Sequence, residues 1–390
     1  MKHVVECTGY EMLLQDIVRA DGISLYDSKG KKYIDFEAGV WCTALGHNHP
    51  RINEAMKKQI DKIIHCGFMS SSQVVEEAAK DVLSTLEDFD GKCLFLSSGS
   101  EAVEFSIKIS KAVMGDKKLL TFNESYLSAY GTSGSNKDAE WVKFSLAECS
   151  NCSHKNNCQE CEQLNSLDFE NIGIFVFEPG NSGGTVKLPP KNLVNEITNR
   201  IKRNNGLIIV DEVTTGIGRT GKWYGFQHYQ IKPDIIAMGK GIGNGYPVSV
   251  VVVEEQIVRK MEDQNIRHSQ SHQNDALGCA VISEVIKTIN ESNLITRSND
   301  TGQYFIEELI KLMDSVKGRI KEVRGIGLMI AVEFRKEEQL LMEATFQHLF
   351  KEGFIIGYKP ALNLIRFYPP LTITREDINL LMDALRETFY

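Results

Sequence analysis

No apolar run in this sequence is long enough to cross a bilayer, so no transmembrane helix is expected. Its first residues, Met1-Lys2-His3-Val4-Val5-Glu6, lack the charged and apolar regions of a secretory signal, and a cytoplasmic location is expected. There is no basic tail or stripe. The net charge is −8 with both signs spread along the chain, which argues against a nucleic-acid partner. Internal repeats, heptad arrays and low-complexity tracts are absent as well. Cysteine is sparse, nine in 390 residues, and in a reducing compartment these are expected as thiols or metal ligands.

What remains is a chain that is 42% hydrophobic, ample for a large core in two lobes. Residues 21–36 read as a small β-meander of short turns and strands. An irregular loop, Gly39 to Pro50, follows. The next helix is expected to place Ile52, Met56, Ile60 and Ile63 on one face, and another spans about Ser72–Leu86. Then strands alternate with helices. Strands are expected at Cys93–Leu96, Leu119–Phe122, Val142–Phe144, Ile172–Phe177, Leu207–Val210, Asp234–Met238 and Val248–Val253. Runs such as Leu207–Val210 are apolar throughout, as when both faces of a sheet are covered. After about residue 275, helices at about 276–289 and 296–315 precede strands at 320–324, 329–334 and 364–368 and a helix after Thr374. The fold class is α/β: a mostly parallel seven-stranded sheet in a large domain, plus a smaller α+β domain. The expected division is 1–45 with the small domain, 46–285 as the large domain with a Cys-rich insertion at about 146–165, and 286–390 as the small domain.

In a parallel sheet, ligands sit at the carboxyl ends of strands. Ser98, Glu178, Asp211 and Lys240 all fall there. Lys240 stands between Gly239 and Gly241, where backbone can approach a bulky partner and an amine can form an imine with a carbonyl cofactor. Asp211 could bind a metal, cap a helix or hold a protonated ring nitrogen. Ser98-Gly99-Ser100-Glu101 opens a helix in the capping-box pattern, either a plain cap or a phosphate cradle. Tyr126 could stack on a flat cofactor or sit in the core.

In that chain order, these residues resemble the class III aminotransferases, pyridoxal 5'-phosphate enzymes of fold type I. The matching pieces span nearly the whole chain: Asp35-Phe36, Leu45 to Pro50, Ser98 to Ala102, Glu178-Pro179, Asp211 to Gly221, Pro233-Asp234, Lys240, Arg324 to Met329 and Arg366 to Leu371. The resemblance implies catalytic roles for Lys240 and Asp211. It implies a cofactor site of Ser98, Gly99, Ser100, Tyr126, Glu178, Asp211, Val213, Lys240 and Ser271. Ser271 takes the place of a threonine that reaches the neighbouring subunit's phosphate, which implies a homodimer with shared active sites. Arg366 matches an arginine that pairs with a substrate carboxylate, a bidentate role suited to guanidinium. The expected substrates are small molecules: an amine or amino-acid donor and a keto-acid acceptor such as pyruvate or 2-oxoglutarate.

Three features depart from the common pattern. Leu127-Ser128 replace the usual His-Gly after Tyr126. Ornithine-type members carry a glutamate four residues after Glu178-Pro179 that gates the arginine; Gly183 stands there. That predicts an Arg366 without a permanent carboxylate partner and counts against ornithine or acetylornithine as substrate. Trp41, in Gly39-Val40-Trp41-Cys42, resembles the entry-loop tryptophan of ω-amino acid:pyruvate members and becomes either a wall of the substrate pocket or a core residue.

Outside the family pattern lies Cys149-Ser150-Asn151-Cys152, followed five residues later by Cys158-Gln159-Glu160-Cys161. Two C-x2-C pairs suit a structural tetrahedral Zn2+ site, with an iron–sulfur cluster or free thiols as alternatives. His154 is a spare ligand. The sequence-based reading is thus a pyridoxal-phosphate aminotransferase with a zinc loop. An aminomutase or racemase on the same residues, and a zinc-loop interaction protein with an inactive enzyme body, stand as alternatives. A zinc hydrolase is disfavoured because four thiolates leave no open coordination position.

Overall fold

The computed structural model describes residues 3–5, 12–135, 139–147, 149, 152, 157–181 and 183–389. The first strands, β1 (Ile17–Asp21), β2 (Ser24–Asp27) and β3 (Lys32–Asp35), form the expected antiparallel meander. The large sheet contains β4 (Gly91–Leu96), β5 (Lys118–Phe122), β6 (Trp141–Phe144), β7 (Ile172–Phe177), β8 (Leu207–Asp211), β9 (Ile235–Met238) and β10 (Ser249–Glu254). Its seven strands run in the order β4-β10-β9-β8-β7-β5-β6. Only β10 is reversed, antiparallel to both its neighbours. The other six therefore point one way and deliver their carboxyl ends to one edge. Every residue of β7, β8 and β9 is buried, because helices cover both faces.

The covering helices follow their apolar spacing. Gly99–Met114 buries Ala102, Phe105 and Ile109, and Lys191–Arg203 buries Leu193, Ile197 and Ile201. The latter ends where Asn205 turns into the left-handed region at φ +56°, just before Gly206. Helices Ala276–Glu291 and Leu294–Ser315 lead to the C-terminal sheet of β11 (Ile320–Ile326), β12 (Met329–Phe334), β14 (Gly357–Lys359) and β15 (Leu364–Phe367), ordered β11-β12-β15-β14. Strand β13 (Phe354–Ile355) pairs parallel with β3, tying the N-terminal meander to the C-terminal part. The rings of Phe36, Phe305 and Phe367 meet with centroids 5.1–6.3 Å apart where the two ends join.

Three expectations need correction. The helix after Pro50 stops at Ile60, so Ile63 lies beyond it; Ile60 is 47% exposed and Ile63 37%. With Ile64, Phe68 and Met69 they leave an apolar patch on the surface of the single chain. Helices Glu255–Asp263 and Gln339–Lys351 were not anticipated. The second spreads apolar residues over several faces, and its Leu340 is 80% exposed, so its periodicity is weak. Finally, the loop after Phe36 is not irregular at its start. Ala38, Gly39, Val40 and Trp41 all have φ between +47° and +69°, forming one left-handed turn. Only glycine adopts that region freely, so three L-residues there store strain.

Candidate active site

Asp211 closes β8, and its Oδ1 accepts the Val213 N–H at 2.9 Å, which turns the chain at the strand end. The carboxyl is almost fully buried. Burial, and next the nearby Glu178, push its pKa well above the carboxylate range, against the pull of the Val213 N–H and Lys240. Glu178 follows β7 and accepts the Tyr126 N–H at 2.8 Å. Lys240 follows β9, next to β8 in the sheet, and its Nζ donates to Thr214 Oγ1 at 3.1 Å. Lys240 itself takes a left-handed φ of +47°, which fixes its side chain after the strand. Burial lowers its pKa, against the opposing charges of Asp211, Cys42 and Glu178, so the amine is easier to deprotonate.

The helix start is capped in the expected pattern. Ser98 caps the helix Gly99–Met114, its Oγ accepting the Glu101 N–H at 3.3 Å while Glu101 Oε2 accepts the Ser97 N–H at 3.0 Å. The Ser100 hydroxyl is used locally, accepting the Ala129 N–H at 3.0 Å, so its backbone N–H is the group left for an anion. Gly99 must be glycine, since a Cβ there would lie 2.6 Å from a Val213 methyl, and a Cβ on Gly239 would come within 3.1 Å of Gly99 Cα. Val213 therefore sits between the cradle and the Lys240 strand end. Tyr126 is 52% exposed, on the rim rather than in the core. Ser271 is exposed in the single chain. Its neighbour Gln270 reaches Ser97 Oγ at 3.2 Å, so this loop runs beside the cradle.

A second group of side chains lies beside Lys240. The Trp41 ring is 5.0 Å from Lys240 Nζ, 4.7 Å from the Arg366 guanidinium and 4.7 Å from the Tyr368 ring. Trp41 thus joins the amine to the arginine, and it is buried in a small cluster with Val186, Met329, Leu364 and Tyr368, apart from the main core. Arg366, buried on β15, also meets the Tyr368 ring at 5.6 Å. Its Nε lies 3.5 Å from Glu37 Oε1. This corrects the expectation drawn from Gly183: Arg366 does have a carboxylate partner, supplied by the turn before Trp41. Sequence reasoning missed Glu37 and gave Tyr368 and Thr214 no role. No local spacing joins residue 37 to residue 366; only the pairing of the chain's two ends does.

The cysteines are half-buried on the far side of β6 in sequence. The Cys152 N–H donates to Cys149 O at 3.4 Å and the Cys161 N–H to Cys158 O at 3.3 Å, so each C-x2-C pair closes the same turn. Cys149, Cys158 and Cys161 pack against the cluster that includes Phe144 and Leu146. The Cys149 thiol is pushed up to about 11, first by burial and then by the other three thiols. His154 lies outside the described residues. Among the described residues, the one trio with ligating atoms all within 4.8 Å is His65, His272 and Asp275, not three of the cysteines. There His65 Nδ1 lies 3.2 Å from Asp275 Oδ1, an ordinary pairing with a helix-capping carboxylate.

The buried Asp211 carboxyl, the glycine-lined helix start at Gly99 and Ser100 and the desolvated Lys240 amine suit a flat pyridinium that carries a phosphate and an aldehyde. The Aminotransferase class-III family profile matches residues 6–389. This chain belongs to the class III aminotransferases. It is 31% identical to the acetylornithine aminotransferase of Aquifex aeolicus, covering 97% of this chain and 98% of that protein. It is 29% identical to the LysW-aminoadipate semialdehyde/glutamate semialdehyde transaminase of Sulfolobus acidocaldarius, covering 95% of this chain and 94% of that one. The crystal structure of acetylornithine aminotransferase from Elizabethkingia anophelis superposes with a TM-score of 0.84 at 26% identity, over 100% of this chain and 96% of that chain. This chain is thus a pyridoxal-phosphate-dependent aminotransferase of fold type I, using an amino donor and a keto-acid acceptor. No helix among its described residues is long and apolar enough to cross a membrane.

Proposed function

We propose that Lys240 and Asp211 carry the chemistry. Pyridoxal phosphate, when bound, supplies an aldehyde for the amine and a ring that takes up electrons from the substrate's α-carbon. Lys240 holds the cofactor through Nζ and moves the proton between carbon and cofactor; its lowered basicity suits that proton transfer near neutral pH. Asp211 holds the ring nitrogen protonated, and that cation relieves its otherwise costly buried charge. Gly99 and Ser100 bind the phosphate through backbone N–H groups, with Ser98 shaping the turn. Val213 supports one ring face and Tyr126 closes over the other, with Glu178 fixing the Tyr126 backbone. Trp41 and Arg366 bind substrate. The observation that carries this reading is the placing of Asp211 and Lys240 after adjacent buried strands, β8 and β9, beside a glycine-lined helix start.

The donor we propose is an amine or an ω-amino acid, with pyruvate or 2-oxoglutarate as acceptor. Acetylornithine is the second reading, favoured by the names of relatives such as that of Aquifex aeolicus; Gly183 does not count against it, because Glu37 pairs with Arg366. A donor and acceptor panel with the purified protein decides between them: turnover of N-acetylornithine alone among the donors would overturn the first reading.

We also propose a homodimer, with Ser271 of each subunit at the other's cofactor phosphate. The exposed apolar residues Ile60, Ile63, Ile64, Phe68 and Met69 support it, since a patch of this kind is normally covered. The proposed division of the chain is 1–45 with 286–390 as one domain and 46–285 as the other, supported by the β3–β13 pairing. Cytoplasmic residence is part of the same reading. The two matching cysteine turns support one structural Zn2+ held by Cys149, Cys152, Cys158 and Cys161, with no part in the chemistry.

A further inference from the structure

The pairing of His65 with Asp275 is complete in itself as a hydrogen bond, yet a third side chain with a ligating atom stands beside it. The His272 ring lies 4.6 Å from the His65 ring, centroid to centroid, at an interplanar angle of 41°. One ring nitrogen of each histidine and one Asp275 oxygen all fall within 4.8 Å of one another. Two neighbouring imidazoles repel once both carry a proton, and the second adds nothing that the His65–Asp275 bond needs. A cation that all three groups can ligate gives the arrangement a purpose.

The chain orients these groups from two sides. Arg51, in the first turn of helix Pro50–Ile60, pairs with Glu284 and Glu291 in the second half of helix Ala276–Glu291, each at 2.6 Å. The two helices therefore run in opposite directions, and His65, just past the end of the first, meets the start of the second. Asp275 is the N-cap there. Its Oδ2 accepts the Gly278 N–H at 3.4 Å and the Tyr246 O–H at 3.3 Å, which leaves Oδ1 turned to His65 Nδ1 at 3.2 Å. His272 sits in a pinned loop. The Gln273 N–H donates to Gln270 O at 3.1 Å, and the Gln270 N–H donates to Gln273 Oε1 at 3.2 Å. Next to it, the Asn274 N–H donates to Phe95 O at 2.9 Å and Asn274 Oδ1 accepts the Phe95 N–H at 3.1 Å, fastening the loop to β4. Outer hydrogen bonds of this kind are what orient the ligands of a metal.

We infer that His65, His272 and Asp275 form a site for one divalent ion of the zinc class, Zn2+, Co2+ or Ni2+, which clips the segment after the first helix to the loop that carries Ser271. Two imidazoles and one carboxylate suit these ions, whereas Mg2+ and Ca2+ call for oxygen ligands and copper(I) for sulfur. The site is distinct from the proposed four-cysteine zinc loop in both position and donor set. Three protein ligands leave a coordination position for water.

The ion joins residues more than 200 positions apart. The unfolded chain has no such preformed set, so the free energy of binding adds to the stability of the fold. The clipped loop also reaches the cofactor half of the molecule, because Gln270 Nε2 donates to Ser97 Oγ at 3.2 Å and to Glu101 Oε1 at 3.3 Å. The other segment carries the exposed Ile63, Ile64, Phe68 and Met69. The ion thus acts on the firmness of these two segments and takes no part in moving the amino group, since its ligands are not among the residues assigned to the cofactor or the substrate.

The test is a Co2+ titration of the cofactor-loaded enzyme without amino donor, read by difference absorption and by calorimetry. The native enzyme should bind one ion per subunit that His272→Ala and His65→Ala do not. Both histidines are exposed in the single chain, and each change should weaken that binding by roughly a hundredfold or more, while Tyr246→Phe, which removes an outer partner, should weaken it roughly tenfold. The spectrum lost in His272→Ala should consist of ligand-field bands with no thiolate charge transfer. The same ion should still bind when Cys152 and Cys158 are both changed to Ser, and Mg2+ should not displace it. Co2+ should raise the thermal midpoint of the native enzyme by more than that of His272→Ala, with the cofactor's own absorption unaltered. Equal Co2+ binding in the native enzyme and in both histidine variants overturns the site, as does the lack of any saturable binding in the native enzyme. A Co2+ spectrum that vanishes with the two cysteines and survives the loss of His272 would place the ion in the zinc loop and overturn it equally.

Discussion

The two halves of the proposed active site are built by different means. The cofactor half stands on the ends of β4, β7, β8 and β9, strands buried on both faces and held in one sheet. Asp211 ends its strand, and Ser98, Glu178 and Lys240 each follow theirs by no more than two residues, so the sheet fixes their spacing. The substrate half hangs on a strained left-handed turn, residues 38–41, and on β15 of a separate sheet. Its two pairs, Glu37 with Trp41 and Arg366 with Tyr368, are more than 320 residues apart in sequence and meet only because the chain's ends pair. A rigid platform suits a cofactor that every reaction shares. A wall assembled from two separate pieces can change its residues without disturbing that platform.

The sharpest way to break this contrast is to remove the amine. Lys240→Ala should lose turnover by about four orders of magnitude or more, because the covalent hold and the proton transfer vanish together. Borohydride treatment of the native enzyme should leave the cofactor attached to Lys240, read by peptide mapping; attachment elsewhere would refute the assignment. Next in size is Asp211→Asn. The ring nitrogen would lose its ionic partner while the cofactor stays bound, and turnover should fall by roughly a hundredfold or more. Near-native turnover there would mean the buried carboxylate has another purpose.

On the substrate half the expected losses are smaller and selective. Arg366→Ala should raise the acceptor's KM by roughly ten- to a hundredfold, the equivalent of about 1.5–3 kcal/mol for a charge-assisted pair, with a weaker effect on a donor that lacks a carboxylate. Steady-state kinetics with both substrates varied separates the two. An equal effect on both would erase the distinction between the halves.

The gathering of Ser98, Glu178, Asp211 and Lys240 at one sheet edge was readable in the sequence for a physical reason. A strand end, a capping serine and a glycine beside a lysine are local patterns, and the sheet turns each into a position at one edge. Arg366 was readable as part of a motif, and Trp41 by its place in the entry loop. Glu37 was not, although it is one residue from Phe36 and four from Trp41. Its partner is set by the β3–β13 pairing and by the hydrogen bond from Tyr368 N–H to Phe36 O at 2.7 Å, both long-range contacts with no signal in spacing. The left-handed turn was equally hidden, because Ala38, Val40 and Trp41 are residue types that avoid positive φ. The helix after Pro50 misled in another way: Ile52 and Met56 face the core as expected, but the helix ends at Ile60, which is exposed with Ile63 in the single chain.

Removal of the proposed zinc should sharpen the comparison by changing neither half. Elemental analysis of enzyme prepared without added metal should find about one zinc per subunit, as a four-thiolate site requires. Cys152→Ser together with Cys158→Ser should lose the zinc and lower thermal stability, yet leave the cofactor's absorption and the turnover in place. Zinc and iron both well below stoichiometric, with four freely titrating thiols, would defeat the metal site. Loss of the cofactor spectrum along with the zinc would make the loop part of the active site.

The smallest effect expected is at Val40. Its φ of +59° and ψ of +49° place a β-branched residue in the left-handed region, which disfavours an L-residue by about 1–2 kcal/mol. Its side chain is 60% exposed, so little apolar packing holds it there. Asp35, through the Gly39 N–H, and the pairing of Trp41 with Arg366 and Tyr368 keep the turn wound. Val40→Gly removes the strain but loosens the unfolded chain, which opposes the gain by about 0.5–1 kcal/mol. The net should be a stabilisation of about 1 kcal/mol or less, read as a higher urea midpoint at unchanged slope. Turnover and the acceptor's KM should stay at native values, because glycine accepts the same φ and ψ and leaves Glu37 and Trp41 in place. A lower midpoint would show that the turn is not strained at Val40. A raised midpoint with a raised acceptor KM would show that the strain itself presses Trp41 and Glu37 onto Arg366, and the substrate half would then depend on stored backbone energy as well as on its side chains.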